Sequence, residues 1–181
     1  MKPTKAIFLE RDGTLIEDQH YLNDPEQISY LPGVVQGLRQ LRDVGFLLIV
    51  VTNQSGLARG LVRIQKLHEI HRCIRDFFAR HGVDIKAFYW APYLPESNHF
   101  CRKPNPGMLF QAAKDFQIDL RQSWMIGDQI TDWQAGNQAG CRSLLLEGPR
   151  LRSLPETTQV PPLVVRDLRQ AAQIILSHQT F

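Results

Sequence analysis

At 181 residues the chain is long enough for one domain with a sizeable core. With 43% hydrophobic and 22% charged residues it has an ordinary globular composition. Its net charge of +3, carried by scattered Lys and Arg, gives no basis for nucleic-acid binding. No stretch approaches the ~20 apolar residues of a membrane span. Residues 1–5 lead straight into a short apolar run without a signal-peptide core. Three widely spaced cysteines, Cys73, Cys101 and Cys141, make no disulfide framework and point to a reducing, cytoplasmic setting.

In chain order, residues 6–9 predict a short strand that delivers Glu10 and Asp12, two residues apart, into a turn at Gly13. Residues 15–31 are long for a connection and predict a flap over that edge. Residues 33–44 place Val34, Leu38 and Leu41 on one helical face and end near Gly45. A strand at 46–51 runs into Thr52-Asn53-Gln54-Ser55-Gly56. Residues 62–80 carry Ile64, Leu67, Ile70, Ile74, Phe77 and Phe78 at helical spacing and stop at Gly82. A strand at 87–90 precedes a loop ending in Cys101-Arg102-Lys103-Pro104, and Pro106 opens a helix to 116 as its first residue. A strand at 124–126 runs into Gly127-Asp128-Gln129-Ile130-Thr131-Asp132, followed by a short helix over 131–139. Residues 143–146 and 163–165 are further strands, separated by a Pro-, Thr- and Arg-rich exposed loop over 147–162. Asp167 can N-cap a last helix to 177.

Several strands are apolar without alternation, as in a sheet buried on both faces. The strand–helix rhythm predicts an α/β, doubly wound, mostly parallel sheet flanked by helices, as one domain over residues 1–181 without a large cap. Ligands are then expected beyond the carboxyl ends of the strands. The polar clusters that follow strands supply carboxylates, a hydroxyl, amides and a lysine to that edge. Carboxylates suit Mg²⁺; hydroxyl, lysine and loop N–H groups suit phosphate.

Four segments carry a more specific signal: Arg-Asp-Gly-Thr after Glu10, Thr-Asn-Gln-Ser-Gly-Leu-Ala-Arg-Gly from Thr52, Cys-Arg-Lys-Pro-Asn-Pro-Gly-Met from Cys101, and Ser-Trp-Met-Ile-Gly-Asp ending at Asp128. In this order and spacing they resemble the haloacid dehalogenase (HAD) phosphatase superfamily. The match extends over residue 6 to about 140. It narrows to the small capless subgroup containing heptose-1,7-bisphosphate 7-phosphatases and histidinol-phosphate phosphatases. The resemblance implies Mg²⁺-dependent phosphomonoester hydrolysis through an acyl phosphate. The implied substrate is a small phosphorylated sugar, D-glycero-D-manno-heptose 1,7-bisphosphate losing its 7-phosphate, with a monomer acting without nucleic acid or membrane. Histidinol-phosphate hydrolysis and phospho-ligand binding without turnover remain alternatives. By the same resemblance Glu10 stands at the nucleophile and Mg²⁺-ligand position. Asp12 is the general acid and base, with its main-chain carbonyl facing the metal. Thr52 and Asn53 hold the phosphoryl group and Lys103 neutralises charge. Asp128 is the second carboxylate on Mg²⁺ and Asp132 a supporting acid. Ser55, Arg59 and Arg102 contact substrate.

The chain departs from that family at two places. The first acid of the motif is an aspartate in the family and Glu10 here. One more methylene moves the carboxylate by about 1.5 Å, and a ~1 Å misplacement can cost about a hundredfold in rate. A slow enzyme, a binder without turnover and an introduced sequence change are all compatible with this. The subgroup's Cys-x-His…Cys-x-Cys zinc cluster is also reduced to His99 and Cys101, short of four ligands, so zinc is not expected. His68 and His71, three apart on a helix, read as one solvated and one buried residue in preference to a metal pair. His20 lies in the flap.

Overall fold

The central apolar runs become strands because both of their faces are covered. In a computed structural model, which describes residues 3–151 and 162–178, the strands are β1 (Lys5–Leu9), β2 (Phe46–Asn53), β3 (Ile85–Ala91), β4 (Trp124–Gly127), β5 (Arg142–Leu146) and β6 (Leu163–Val165). Among the described residues they form one sheet in the order β3-β2-β1-β4-β5-β6. Every pairing is parallel, where a mostly parallel sheet was expected. The helices are α1 (Val34–Asp43), α2 (Ile64–Arg80), α3 (Gly107–Phe116), α4 (Ile130–Ala139) and α5 (Leu168–Ser177).

The two-residue period of β1 explains the layers. Ile7 and Leu9 join a core with Leu38 and Leu41 of α1, Ile70 and Ile74 of α2 and Ile175 of α5. Ala6 and Phe8 join a second core with Leu109 and Ala112 of α3 and Ala135 of α4. The chain leaves β1 for β2 on one side and later returns to β4 on the other. The order of strands therefore reverses at β1, where a doubly wound sheet opens a crevice at its carboxyl edge.

Several helix starts differ from expectation for local reasons. Gly33 has φ of 78°, outside the helical region, so α1 begins at Val34. The N–H groups of Leu61 and Val62 both turn back to the Gly56 carbonyl, delaying α2 to Ile64. Pro106 stands just before α3, not as its first residue. The helix expected from 131 begins one residue earlier, at Ile130. Asp167 does cap α5, accepting from the Gln170 N–H at 2.9 Å. Of the loop expected over 147–162, residues 152–161 lie outside the described residues.

Residues 15–31 are anchored at the edge by buried Leu15, Ile16 and Leu22 and by bridges from Ile16 to Asp12 and Tyr30. This leaves Asp18, His20 and Tyr21 beside the crevice. No helix among the described residues is long and apolar enough to cross a membrane.

Candidate active site

Glu10 and Asp12 follow β1, Thr52 and Asn53 end β2, and Asp128 follows β4, so three adjacent strands present their acids and hydroxyl at one edge. Lys103 arrives from the β3–α3 connection. Its ammonium is 2.5 Å from Glu10 Oε2 and 2.6 Å from Asp132 Oδ1, and it donates to the Val51 carbonyl at 2.7 Å. Lys103 is 1% exposed, Glu10 3% and Asp132 1%, so this is a buried three-charge cluster. Burial pushes the Glu10 carboxyl up, but the Lys103 charge and hydrogen bonds from Lys103, Thr52 and the Arg11 N–H carry it below its usual range. Burial lowers Lys103, and the Asp132 and Glu10 charges more than reverse that.

The extra methylene of Glu10 is taken up by a fold-back. Its Oε1 accepts from the N–H of the next residue, Arg11, at 2.6 Å, while Oε2 faces Lys103. Asn53 also faces Lys103: its Oδ1 accepts from the Lys103 N–H at 3.1 Å and its Nδ2 donates to the Lys103 carbonyl at 3.0 Å. This amide ties the end of β2 to the lysine loop. Asp132, in the first turn of α4, accepts from the Gln129 N–H at 3.0 Å.

Asp12 is held from two sides. Arg11 forks onto it, Nε to Oδ1 at 3.0 Å and Nη2 to Oδ2 at 2.8 Å, and Gln54 Nε2 donates to Oδ2 at 2.9 Å. The same amide donates to Thr52 Oγ1 at 2.9 Å, joining Asp12 to the hydroxyl beside Glu10.

Asp128 Oδ1 is buried and has no hydrogen-bond partner. Gly13, with φ of 77°, turns the chain under it; a Cβ there would stand 2.2 Å from Asp128 Oδ2. Arg150 brings a guanidinium to the same place. Its Nη1 donates to the Asp12 carbonyl at 3.1 Å and its Nε is 3.4 Å from Asp128 Oδ2 and 3.3 Å from Asp18 Oδ2. A buried carboxylate oxygen without a partner, beside a main-chain carbonyl that already faces a cation, fits a hard divalent ion. Among the described residues no three His, Cys, Asp or Glu side chains are gathered for a metal. Without a metal, burial and then Asp132 push Asp128 up to about 8, against the Arg150 charge.

That shift has a definite sign. Between the unfolded value, ~4, and about 8, the folded metal-free protein holds a proton that the unfolded chain has released. Its stability therefore falls as pH rises through that window. In EDTA, Asp128→Asn is expected to raise Tm relative to the unaltered protein by more at pH 8 than at pH 5. An equal difference at both pH values would contradict the shift.

The crevice has a volume of about 410 Å³; Asp12, Ser55, Arg102, His20 and Arg150 are among its lining residues. Ser55 and Arg102 thus lie where substrate contact was expected. Arg59 is exposed on the turn before α2 and is not among the lining residues.

A family model described as HAD-hydrolase-like matches residues 100–171. The D-glycero-beta-D-manno-heptose-1,7-bisphosphate 7-phosphatase of Pasteurella multocida is 39% identical over 148 residues, 78% of this chain and 80% of that one. The chain belongs to the HAD phosphatase family. The phosphatase of the same name from Escherichia coli K12 is 34% identical over 98% of this chain and 97% of its own. The crystal structure of D,D-heptose 1,7-bisphosphate phosphatase from B. bronchiseptica, complexed with magnesium and phosphate, superposes with a TM-score of 0.85. It is 32% identical and covers 97% of this chain and 99% of that one.

In this HAD phosphatase the loop before Lys103 is braced by rings and amides. Tyr93 and His99 stack with centroids 3.4 Å apart, His99 Nδ1 accepts from the Cys101 N–H at 3.1 Å, and Asn105 Nδ2 donates to the Asn98 and His99 carbonyls. Arg102 Nη1 donates to the Tyr93 carbonyl at 2.8 Å, so one face of its guanidinium belongs to the loop. Sequence reasoning missed four site residues. Arg11 looked like a spacer between two acids, and Gln54 like one member of a polar run. His68 and His71 read together as one solvated and one buried helix residue, without a role in the site. Arg150 reaches Asp12 across 138 positions, and nothing local in the sequence signals it.

Proposed function

We propose that this protein is a Mg²⁺-dependent phosphatase that removes the 7-phosphate of D-glycero-D-manno-heptose 1,7-bisphosphate. The observation that carries this is the meeting of Glu10, Asp12, Thr52, Lys103 and Asp128 at one sheet edge, in a chain 39% identical to a phosphatase of that name. Glu10, Asp128 and the Asp12 carbonyl would hold Mg²⁺, which neutralises phosphoryl charge when bound. The Glu10 carboxylate attacks phosphorus, a C–O–P bond forms as the ester P–O bond breaks, and Asp12 passes its proton to the leaving alkoxide. Asp12 then takes a proton from the water that hydrolyses the acyl phosphate. Thr52 and Lys103 hold the transferring group, and Ser55 and Arg102, lining the crevice, hold the rest of the sugar phosphate. The length of Glu10 makes the first step slow. The protein works as a cytoplasmic monomer on this small substrate, without nucleic acid or membrane; the scattered basic residues and net charge of +3 support the absence of a nucleic-acid partner.

The test is phosphate release from heptose 1,7-bisphosphate, histidinol phosphate and p-nitrophenyl phosphate, with and without Mg²⁺. The highest kcat/KM is expected for the heptose, and loss of release in EDTA. Equal turnover of all three, or turnover indifferent to Mg²⁺, would overturn the assignment.

A further inference from the structure

His71 lies on α2, outside the strand ends, yet it is 6% exposed and faces the site. It stacks on Phe88 of β3 at 4.6 Å and 21°, with Trp90 tilted against it at 5.7 Å. Its Nε2 is 3.4 Å from Arg11 Nη1. Arginine offers donors and no acceptor, so Nε2 must accept and the ring proton sits on Nδ1. Burial, and then the Arg11 charge, drive the imidazole down to about 2, so the ring stays a neutral acceptor.

Arg11 is 1% exposed and sits between this ring and Asp12. Its other donors go to both Asp12 oxygens and, from Nη2, to Gln54 Oε1 at 3.2 Å. Gln54 returns a donor to Asp12 Oδ2 at 2.9 Å, which closes a ring of three side chains. A fork of this kind orients a carboxylate only if the guanidinium cannot rotate or slide. The acceptor at His71 Nε2, on a ring itself held by its stack on Phe88, stops it from behind.

We infer that His71 is a positioning residue for the phosphatase reaction: through Arg11 it fixes the rotamer of Asp12, so that the carboxylate meets the leaving-group oxygen. The inference rests on the reading of Asp12 as the proton-transfer acid. It predicts an effect that depends on the leaving group. An alkoxide from a sugar phosphate needs a proton as it departs, whereas p-nitrophenolate leaves well without one.

His71→Phe keeps an aromatic ring beside Phe88 and removes the acceptor; His71→Gln keeps an acceptor near the position of Nε2. Both are compared with the unaltered chain, and again in a Glu10→Asp background. His71→Phe is expected to lower kcat on the sugar phosphate by about tenfold and on p-nitrophenyl phosphate by less than about twofold, with KM nearly unchanged. His71→Gln is expected to recover most of the loss. Equal losses on both esters, or full activity of His71→Phe on the sugar phosphate, would overturn the inference. A second readout needs no turnover: the side-chain Nε–H of Arg11 in NMR, assigned by its loss in Arg11→Lys. His71→Phe is expected to speed its solvent exchange at least about tenfold and His71→Gln to leave it near the original rate. If no ester is hydrolysed by any of these proteins, the phosphatase reading fails. The clamp is then decided by this signal, and unchanged exchange in His71→Phe overturns it.

Discussion

Glu10→Asp is expected to raise phosphate release by about a hundredfold or more. The rest of the machinery is already in place: Lys103 lies against the position-10 carboxylate, Thr52 and Gln54 are linked by a hydrogen bond, and Asp12 is oriented toward the crevice. The obstacle is the extra methylene, which the protein absorbs by turning Oε1 onto the Arg11 N–H and Oε2 onto Lys103. In-line attack requires a carboxylate oxygen within near-contact distance of phosphorus, and an error of ~1 Å there can cost about a hundredfold. Aspartate removes the surplus length. The gain depends on proton transfer, so Asp12→Asn added to Glu10→Asp is expected to abolish it while leaving phosphate binding largely intact. Steady-state release of phosphate from heptose 1,7-bisphosphate and from p-nitrophenyl phosphate measures both effects. Unchanged turnover in Glu10→Asp would mean either that Glu10 is a competent nucleophile or that the fold serves binding alone, and a phosphorylated Glu10 in the unaltered protein, detected by mass spectrometry, would select the first.

Lys103→Met is expected to cost more than any other single change in the site, both in stability and in activity. Methionine fills the space of the lysine stem but leaves Glu10 and Asp132 buried without their shared counter-charge. Breaking a buried pair by removing one partner costs about 3–5 kcal/mol, and loss of a preorganised charge at the phosphoryl group costs on the order of a hundred- to a thousandfold in kcat. The stability deficit has a pH signature. Glu10 titrates below its usual range because of Lys103, so the stability it contributes is present above the unfolded carboxylate value and is lost as pH falls through the lowered one. Without Lys103 that contribution disappears. Urea unfolding is therefore expected to show a larger difference between variant and unaltered protein at pH 7 than at pH 4. A difference below about 1 kcal/mol at pH 7 would mean that the cluster contributes little.

The loop before Lys103 is held by several weak contacts acting together. Lys103 is secured through its main chain by Asn53 and through the loop by the Tyr93–His99 stack and the Asn105 amide. Aromatic stacking and amide hydrogen bonds are each modest, and they act together over the segment 93–105.

The strands, the helices, their alternation and the four polar segments were legible in the sequence because each depends on local pattern. Apolar runs without alternation mark strands covered on both faces, helical spacing marks the helices, and Gly13, next to Asp12, marks the turn at the site. Glu10, Asp12, Thr52, Lys103 and Asp128 could be named from order and spacing, because each follows, or lies just downstream of, a strand that ends at the same edge. What the sequence could not determine is which side chains those residues would face. Asn53 was read as a phosphate ligand; it lines the crevice, and its amide also grips the Lys103 main chain, a contact the sequence does not signal. Arg59 was read as a substrate contact; it lies exposed on the turn before α2 and is not among the crevice-lining residues. Arg11, His71 and Arg150 acquire their places through packing between α2, β3 and the segment after β5, over separations of 60 and 138 residues. Hydrogen bonds and ion pairs of that kind depend on distances set by the whole sheet, and only the tertiary structure brings those atoms within reach of one another.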